Sequence, residues 1–139
     1  MTGRVFVDTN VLIYAHDLDA GLRHDRAVSI LSELWERENG IISVQVLQEF
    51  YVNATRKIPH PLTPASARGI IKNYLAWHVA ANDPSTVLLA SEIAERNHLS
   101  FWDALIVASA SIAGADRILS EDLNHGQVIE GIEIENPFL

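Results

Sequence analysis

Residues 5–15 read VFVDTNVLIYA, which is an apolar run, a polar step and a second apolar run. The first three residues, Val5–Val7, are predicted to form a buried strand. Asp8 follows directly and stands where that strand leads into the next element. An aspartate there is a good helix N-cap, but it is also well placed to bind a ligand, because open parallel sheets bind ligands beyond the carboxyl ends of their strands.

Short strand-like runs alternate with longer helical patterns along the rest of the chain. This alternation predicts an α/β fold in which helices flank a central, mainly parallel sheet of about five strands. The remaining strands are expected at residues 41–42, 78–80, 117–119 and 132–134. A helix is expected from residue 23 to residue 38, and capping signals start four more, at Ser43, Thr63-Pro64, Asp83-Pro84 and Ser100.

The 139 residues are 48% hydrophobic and contain no cysteine. A chain of this length buries roughly two thirds of its unfolded surface, so we expect residues 1–139 to form a single domain. Without cysteine, any bound metal would have oxygen or imidazole ligands. No apolar run approaches the roughly 20 residues that cross a bilayer, and the first residues lack the apolar core of a signal peptide, so we expect a cytoplasmic protein.

The formal net charge of −8 is unusual for a protein that binds nucleic acid. The charge is unevenly distributed, however, because residues 50–82 contain no Asp or Glu. That stretch carries four bases, which are Arg56, Lys57, Arg68 and Lys72. They are either solvated helix residues or a surface that contacts a polyanion.

Glu49 lies in the second turn of the helix that is expected to start at Ser43, directly after the second predicted strand. Helical spacing puts it on one stripe with Gln45 and Asn53, so that it could simply face water. The alternative is that Glu49 leans over the same sheet edge as Asp8, because its helix follows a strand directly.

Asp122 follows the strand predicted at residues 117–119, within the sequence LSEDLNHG. It is either a turn residue, since Ser, Asp, Asn and Gly all favour turns, or a further acid beyond a strand end. Glu121 and Asp116 are alternatives to Asp122 for any role at this end of the chain.

Asp103 is the one charged residue in the stretch FWDALIVASASIAG, residues 101–114. All faces of this helix are apolar, which predicts a helix buried on every side. Ser100 and Asp103 fit a capping box, in which the acid returns to a backbone N–H at the helix start. Otherwise a buried carboxylate needs a base or a metal ion as its partner, and this helix contains no base.

Carboxylates gathered at one sheet edge raise one another's pKa and oppose folding unless a counter-charge is present. A divalent cation supplies that charge, and oxygen-only ligands suit Mg²⁺ or Mn²⁺. Two other classes with acids at strand ends fit less well. A phosphoacceptor receiver domain uses a lysine on a late strand, where this sequence has none, and a haloacid-dehalogenase-like phosphatase has aspartate at the position of Asn10.

Four segments resemble, in this order, the motifs of PIN-domain ribonucleases and, among these, the toxins of VapBC-type toxin and antitoxin pairs. They read VFVDTNVLIYA, SVQVLQEFYVNA, SFWDALIVASA and RILSEDLNHG, and the resemblance spans essentially the whole chain. It implies a PIN-like three-layer fold and a Mg²⁺- or Mn²⁺-dependent endoribonuclease that cuts single-stranded or loop RNA. It also implies a homodimer and a small antitoxin that inserts a basic segment into the acidic groove.

The resemblance assigns the family's acidic constellation to Asp8, Glu49, Asp103 and Asp122, with supporting small polar residues at Thr9, Asn10 and Ser120. We expect Asp8 and Asp103 to hold the principal metal ion. Asp122 would complete its ligand shell or hold a second ion. Glu49 would orient or deprotonate the attacking water.

The four bases of residues 50–82, Arg56, Lys57, Arg68 and Lys72, are candidates for contacting the RNA backbone. Trp102, beside Asp103, is either a core or rim aromatic or a platform on which a base stacks. The alternative to an enzyme is a non-catalytic PIN-like module that binds RNA or protein. Metal-dependent cleavage by the purified protein distinguishes the two.

Overall fold

The computed structural model describes residues 3–139, which form a six-stranded sheet flanked by helices. The strands are β1 (Val5–Val7), β2 (Gly40–Ser43), β3 (His78–Ala80), β4 (Arg117–Leu119), β5 (Val128–Ile129) and β6 (Ile132–Glu135). The helices are α1 (Thr9–His16), α2 (Leu22–Arg37), α3 (Val44–Arg56), α4 (Pro64–Tyr74), α5 (Pro84–Asn97) and α6 (Phe101–Ile112).

The strand order across the sheet is β3-β2-β1-β4-β6-β5, and all neighbours are parallel except β5 and β6. The predicted α/β class with a mainly parallel sheet is therefore confirmed. One strand more than expected is present, because β5 and β6 form a tight hairpin around Glu130 and Gly131, both with positive φ. Positive φ at both turn positions is typical of the two-residue hairpin turn that matches strand twist.

The central strands are buried on both faces, as their unbroken apolar sequences require. The register pairs Val7 with Leu119, so the carboxyl ends of β1 and β4 lie side by side. Asp8 and Ser120 are the next residues of the two strands, and the Asp8 N–H donates to the Leu119 carbonyl at 2.9 Å. The carboxyl edge of the sheet is where the polar residues following the strands meet.

The predicted capping signals open the helices as expected. Each cap side chain accepts a backbone N–H: Ser43 from Val46, Thr63 from Ser66, Asp83 from Thr86, and Ser100 from Asp103. Asp8 does the same for α1, a helix of eight residues that the strand-like sequence VLIYA did not reveal. These caps satisfy N–H groups that have no partner within their own helix.

The helix α6 differs from its prediction. Its middle, residues 104–110, is fully buried, and the helix packs against α5, β2 and β3. Its first turn is not buried, since Phe101 and Trp102 are exposed and Asp103 is half-buried. Ile112, at the other end, is also exposed. The apolar sequence therefore predicted the burial of the central turns correctly and that of the two ends wrongly. Among residues 3–139 no helix is both long and apolar enough to cross a membrane.

Gly40, the first residue of β2, packs directly against the Trp77 ring. A Cβ at this position would lie 2.5 to 2.8 Å from three ring atoms of Trp77. Trp77 is itself held between Trp35 and Tyr74, with ring centroids 5.4 and 5.2 Å away. The tryptophan therefore has little room to move aside.

We expect Gly40→Ala to lower the free energy of unfolding by about 1 to 3 kcal/mol, because it overpacks this aromatic cluster. Gly69, within α4, is the matched control, since a Cβ there has no neighbour within 4 Å. Gly69→Ala should raise the stability by about 1 kcal/mol, the helix propensity of alanine over glycine. Urea denaturation of both variants measures the two effects, and equal stabilities would contradict the packing argument.

Candidate active site

Asp8 is the most buried acid at the carboxyl edge of the sheet, with 7% of its surface exposed. Its Oδ1 accepts the Thr9 N–H at 2.7 Å, and its Oδ2 accepts the Ser120 hydroxyl at 2.7 Å. Burial raises the pKa of Asp8 to about 6, although the bonds from Ser120 and Thr9 lower it. The charges of Asp122 and Glu49 raise the pKa further. Asp8 is thus a fixed carboxylate with other acids around it.

Glu49 lies in the second turn of α3 and is half-buried. Burial raises its pKa, the side chains of Gln45 and Thr9 lower it, and the charges of Asp103 and Asp122 raise it. Glu49 therefore leans over the sheet edge near the other acids rather than facing open water. The charged neighbours with the largest effects on the pKa of Asp8 and of Glu49 are all acids.

Asp103 forms only half of the expected capping box. Its backbone N–H donates to Ser100 Oγ at 3.1 Å, so Ser100 caps α6. Its carboxylate accepts no hydrogen bond from any residue between 3 and 139. Capping by Ser100 accounts for the start of the helix but not for the acid, which lies within electrostatic range of Glu49.

Asp122 is exposed, and Asn10 orients its carboxylate. Asn10 Nδ2 donates to Asp122 Oδ2 at 3.1 Å, while Asn10 Oδ1 accepts the Glu121 N–H at 3.2 Å. Ser120 Oγ also accepts the N–H of Asp122 at 3.1 Å. The small polar residues expected to support the acids therefore contact Asp8 and Asp122 directly.

The two alternatives to Asp122 have partners of their own. Glu121 accepts the Tyr14 hydroxyl at 2.6 Å and Arg23 Nε at 2.7 Å, and these bonds hold its pKa below the usual value against the effect of burial. Asp116 precedes β4, and its Oδ2 accepts the Arg4 N–H at the opposite edge of the sheet. Asp122, in contrast, is among the main causes that raise the pKa of Asp8 and of Glu49.

Gln45, which the sequence placed only on one helix stripe with Glu49, is close enough to that acid to lower its pKa. Its Nε2 donates to the Trp102 carbonyl at 3.4 Å, which joins α3 to the first turn of α6. Its Oε1 is buried and has no hydrogen-bond partner among residues 3–139. The Thr9 hydroxyl is close enough to Glu49 to lower the pKa of that acid. Like Gln45 Oε1, however, Thr9 Oγ1 is buried without a hydrogen-bond partner among residues 3–139. The sequence contained one indication of this, because Gln45 lies four residues before Glu49 and residues at that spacing are neighbours on a helix face.

The four bases of the middle stretch are exposed, and none forms an ion pair within the described part of the chain. Arg56 lies seven residues after Glu49 in α3, which puts it on nearly the same helix face and about 10 Å further along. Lys57 follows the helix, and Arg68 and Lys72 lie on α4, which packs against α3. They are free to contact a polyanion outside the acidic cluster.

The four acids do not form a complete metal cage. Within residues 3–139 no three Asp, Glu or His side chains are arranged to hold one ion. Mg²⁺ typically takes one or two carboxylates and keeps several waters, so it does not require such a set. A cavity of about 570 Å³ lies at the opposite sheet edge, beside Arg4, Trp35, Trp77 and His78, and none of the acids lines it. The acids occupy an open edge, which suits a polymer better than a small enclosed ligand.

The raised pKa of Asp8 should appear as a pH dependence of stability. Between pH 3.8 and about 6 the folded protein binds more protons than the unfolded chain, so its stability falls as the pH rises through that window. In the wild type, the ionisation of Asp8 lowers the free energy of unfolding by up to about 3 kcal/mol over this window. The Asp8→Asn variant has no carboxyl group to ionise at this position, so this decrease is absent. Urea denaturation in EDTA should therefore show that the stability of Asp8→Asn rises relative to that of the wild type between pH 4 and 7. A constant difference across that range would contradict the burial of a charged Asp8.

The comparisons with known proteins concern the fold and the family of the chain. Solved structures share the fold, among them the following three. VapC20 of Mycobacterium tuberculosis, described as a sarcin-ricin loop cleaving toxin, is 23% identical over 85% of this chain and 91% of its own, with a TM-score of 0.65. A toxin-antitoxin complex from Klebsiella pneumoniae is 20% identical over 96% and 97%, with a TM-score of 0.70. DNA-bound VapBC from Salmonella typhimurium is 18% identical over 96% and 98%, with a TM-score of 0.67.

At these identities the structures establish a shared fold, and no curated protein matches the sequence significantly. The family model described as the PIN domain matches residues 5–130. That match includes β1 and β4 and the four acids that meet beyond the strand ends. The chain therefore belongs to the PIN domain family.

Proposed function

We propose that this protein is a metal-dependent endoribonuclease and the toxin of a toxin-antitoxin pair that acts in the cytoplasm. One observation carries the proposal: Asp8, Glu49, Asp103 and Asp122 gather at the carboxyl edge of the sheet, where acidic neighbours help to raise the pKa of Asp8 and of Glu49. Membership of the PIN domain family supports it, and so does the likeness to solved toxins.

The residues fit a hard divalent cation. Asp8 and Asp103 would hold Mg²⁺ or Mn²⁺, and Asp122 would complete the ligand shell or hold a second ion. The Asp103 carboxylate has no hydrogen-bond donor among residues 3–139, so a cation would be its partner. The buried and unpaired Thr9 Oγ1 and Gln45 Oε1 beside the acids also suit a site that contains ordered water.

Each side chain of the site would have its own role in phosphodiester hydrolysis. A bound ion would lower the pKa of water and offset the charge that develops on the phosphate. Burial and the acidic neighbours raise the pKa of Glu49, so it is a stronger base than an ordinary glutamate and is suited to take a proton from the attacking water. Ser120 and the Thr9 N–H hold Asp8 in one orientation, and Asn10 does the same for Asp122.

The proposed substrate, RNA, must approach a protein whose net charge is −8. The four exposed bases of α3 and α4 offer the positive surface that a phosphate backbone requires. Arg56 shares a helix face with Glu49, so a strand that contacts it runs toward the acids. Arg56, Lys57, Arg68 and Lys72 are therefore the proposed backbone contacts.

The same acids offer a site for an antitoxin. Asp122 is exposed, and Glu49 and Asp103 are half-buried, so a basic segment that enters the edge would meet several carboxylates. Opposite charge across an interface favours rapid and specific association. We propose that the partner inhibits the enzyme by inserting such a segment.

We also propose that the protein is a homodimer, and an apolar surface on α3 supports this. Val44 and Val52 are 37% and 41% exposed there. Homodimer interfaces are more apolar than the rest of a protein surface. The surface encloses a shallow cavity of about 400 Å³, lined by Val44, Leu47, Gln48, Tyr51, Val52 and Ile71.

Asp103→Asn should reduce RNA cleavage more than roughly 100-fold, because it removes a metal ligand. The substrate is a mixed pool of structured and single-stranded RNA, with Mg²⁺, Mn²⁺ or EDTA, and EDTA should abolish cleavage by the wild type. Asp116→Asn, at the opposite sheet edge, is the matched control and should cut like the wild type. If folded Asp103→Asn retains full activity, or if folded wild type cuts nothing in either metal, the nuclease proposal fails.

Val52→Glu should convert a dimer to a monomer, because it buries an unpaired carboxylate in the apolar surface. Val28→Glu is the control, since Val28 is 40% exposed on α2, outside that surface. Light scattering coupled to gel filtration measures both masses. A wild-type monomer, or a Val52→Glu dimer, would refute the proposed interface.

A further inference from the structure

Trp102 is the most exposed of the three tryptophans, with 66% of its surface accessible against 37% for Trp35 and 8% for Trp77. Burying a large aromatic side chain is favourable, so an exposed Trp102 would be stabilised by a ligand that covers its ring. Trp102 precedes Asp103 in the first turn of α6, and their Cα atoms are about 3.8 Å apart across a trans peptide. The exposed indole therefore belongs to the residue directly next to Asp103, in the same first turn of α6.

The position of Trp102 is fixed from two sides. Its carbonyl accepts Gln45 Nε2 at 3.4 Å, which ties its backbone to the helix that carries Glu49. Its ring contacts Phe101 in an edge-to-face arrangement, with centroids 5.3 Å apart and planes at 80°. A preorganised aromatic ring loses little conformational freedom when a ligand binds to it.

We propose that Trp102 is the surface on which an unpaired base of the RNA stacks, next to the phosphate held at the acids. This inference rests on the proposed nuclease function and names the substrate feature that the site selects. Only an unpaired base exposes its faces, because in a duplex both faces are covered by neighbouring bases. Stacking on an aromatic side chain recognises single strands and loops without depending on their sequence.

A nucleobase fits this aromatic pair better than a docked protein helix does. Along the chain, the exposed residues that precede Phe101 and Trp102 are the polar His98 and Ser100, with Leu99 between them packed against the core, and Asp103 follows. A pair of exposed rings flanked by polar residues matches the size of one base, whereas a protein interface presents a broader apolar core. Such a core is present on α3, around Val44 and Val52, and its residues do not include Trp102.

The test compares oligonucleotides with and without bases. Fluorescein-labelled oligouridylate and oligoadenylate, and an abasic oligonucleotide of the same length, are titrated with protein carrying Glu49→Gln so that the RNA stays intact. Adding Trp102→Ala should weaken binding of both base-containing strands roughly tenfold, the loss of one stacked base, and leave the abasic strand unaffected. Trp102→Phe should retain part of the affinity. Ile112→Ala, exposed at the other end of α6, is the control and should change nothing.

Equal affinities with and without Trp102 would overturn the proposal, and so would equal losses for base-containing and abasic strands. Unchanged RNA binding is also the result expected if Trp102 contacts a protein partner instead. In the active protein, Trp102→Ala should raise KM and leave kcat nearly unchanged. If the wild type cuts no RNA but the base-dependent loss of binding is found, the nuclease proposal fails while the stacking surface stands.

Discussion

The hydrogen bond from Ser120 Oγ to Asp8 Oδ2 joins the two central strands at their carboxyl ends, and the arrangement of the site depends on it. The hydroxyl is fully buried, and it also accepts the N–H groups of Asp122 and Leu123. One side chain thus orients the buried acid and shapes the loop that carries the exposed one. The parallel register of β1 and β4 makes this contact possible, because it brings residues 8 and 120 to the same level.

The gathered acids work against folding, and the rest of the protein compensates for them. Burial and like charge raise the pKa of Asp8 to about 6 and also raise that of Glu49. Completely buried strands, capped helices and the aromatic cluster around Trp77 supply the opposing stability. Functional sites commonly break local rules of stability in this way. A bound cation would remove much of the conflict, which is the physical reason for expecting one.

Much of the fold could be predicted from local signals, because the strands are short apolar runs and the helices start at clear caps such as Thr63-Pro64. The two-residue strand β5 gave too short a pattern to detect. The exposure of Trp102 could not be predicted from the apolar sequence of α6, because composition does not show which end of a helix is left uncovered by the elements packed around it. Sequence alone also could not show that Glu121 pairs with Tyr14 and Arg23, because both partners are distant in the chain.

The central claim is that the clustered carboxylates are a site for a divalent cation. Anomalous diffraction from crystals soaked in Mn²⁺ tests it most directly, since the peak locates the metal without reference to activity. The account predicts a peak bound by Asp8 and Asp103 at about 2.1 to 2.2 Å, with water completing the shell. A well-ordered carboxyl edge without a peak, or a peak whose ligands exclude both acids, would contradict the account.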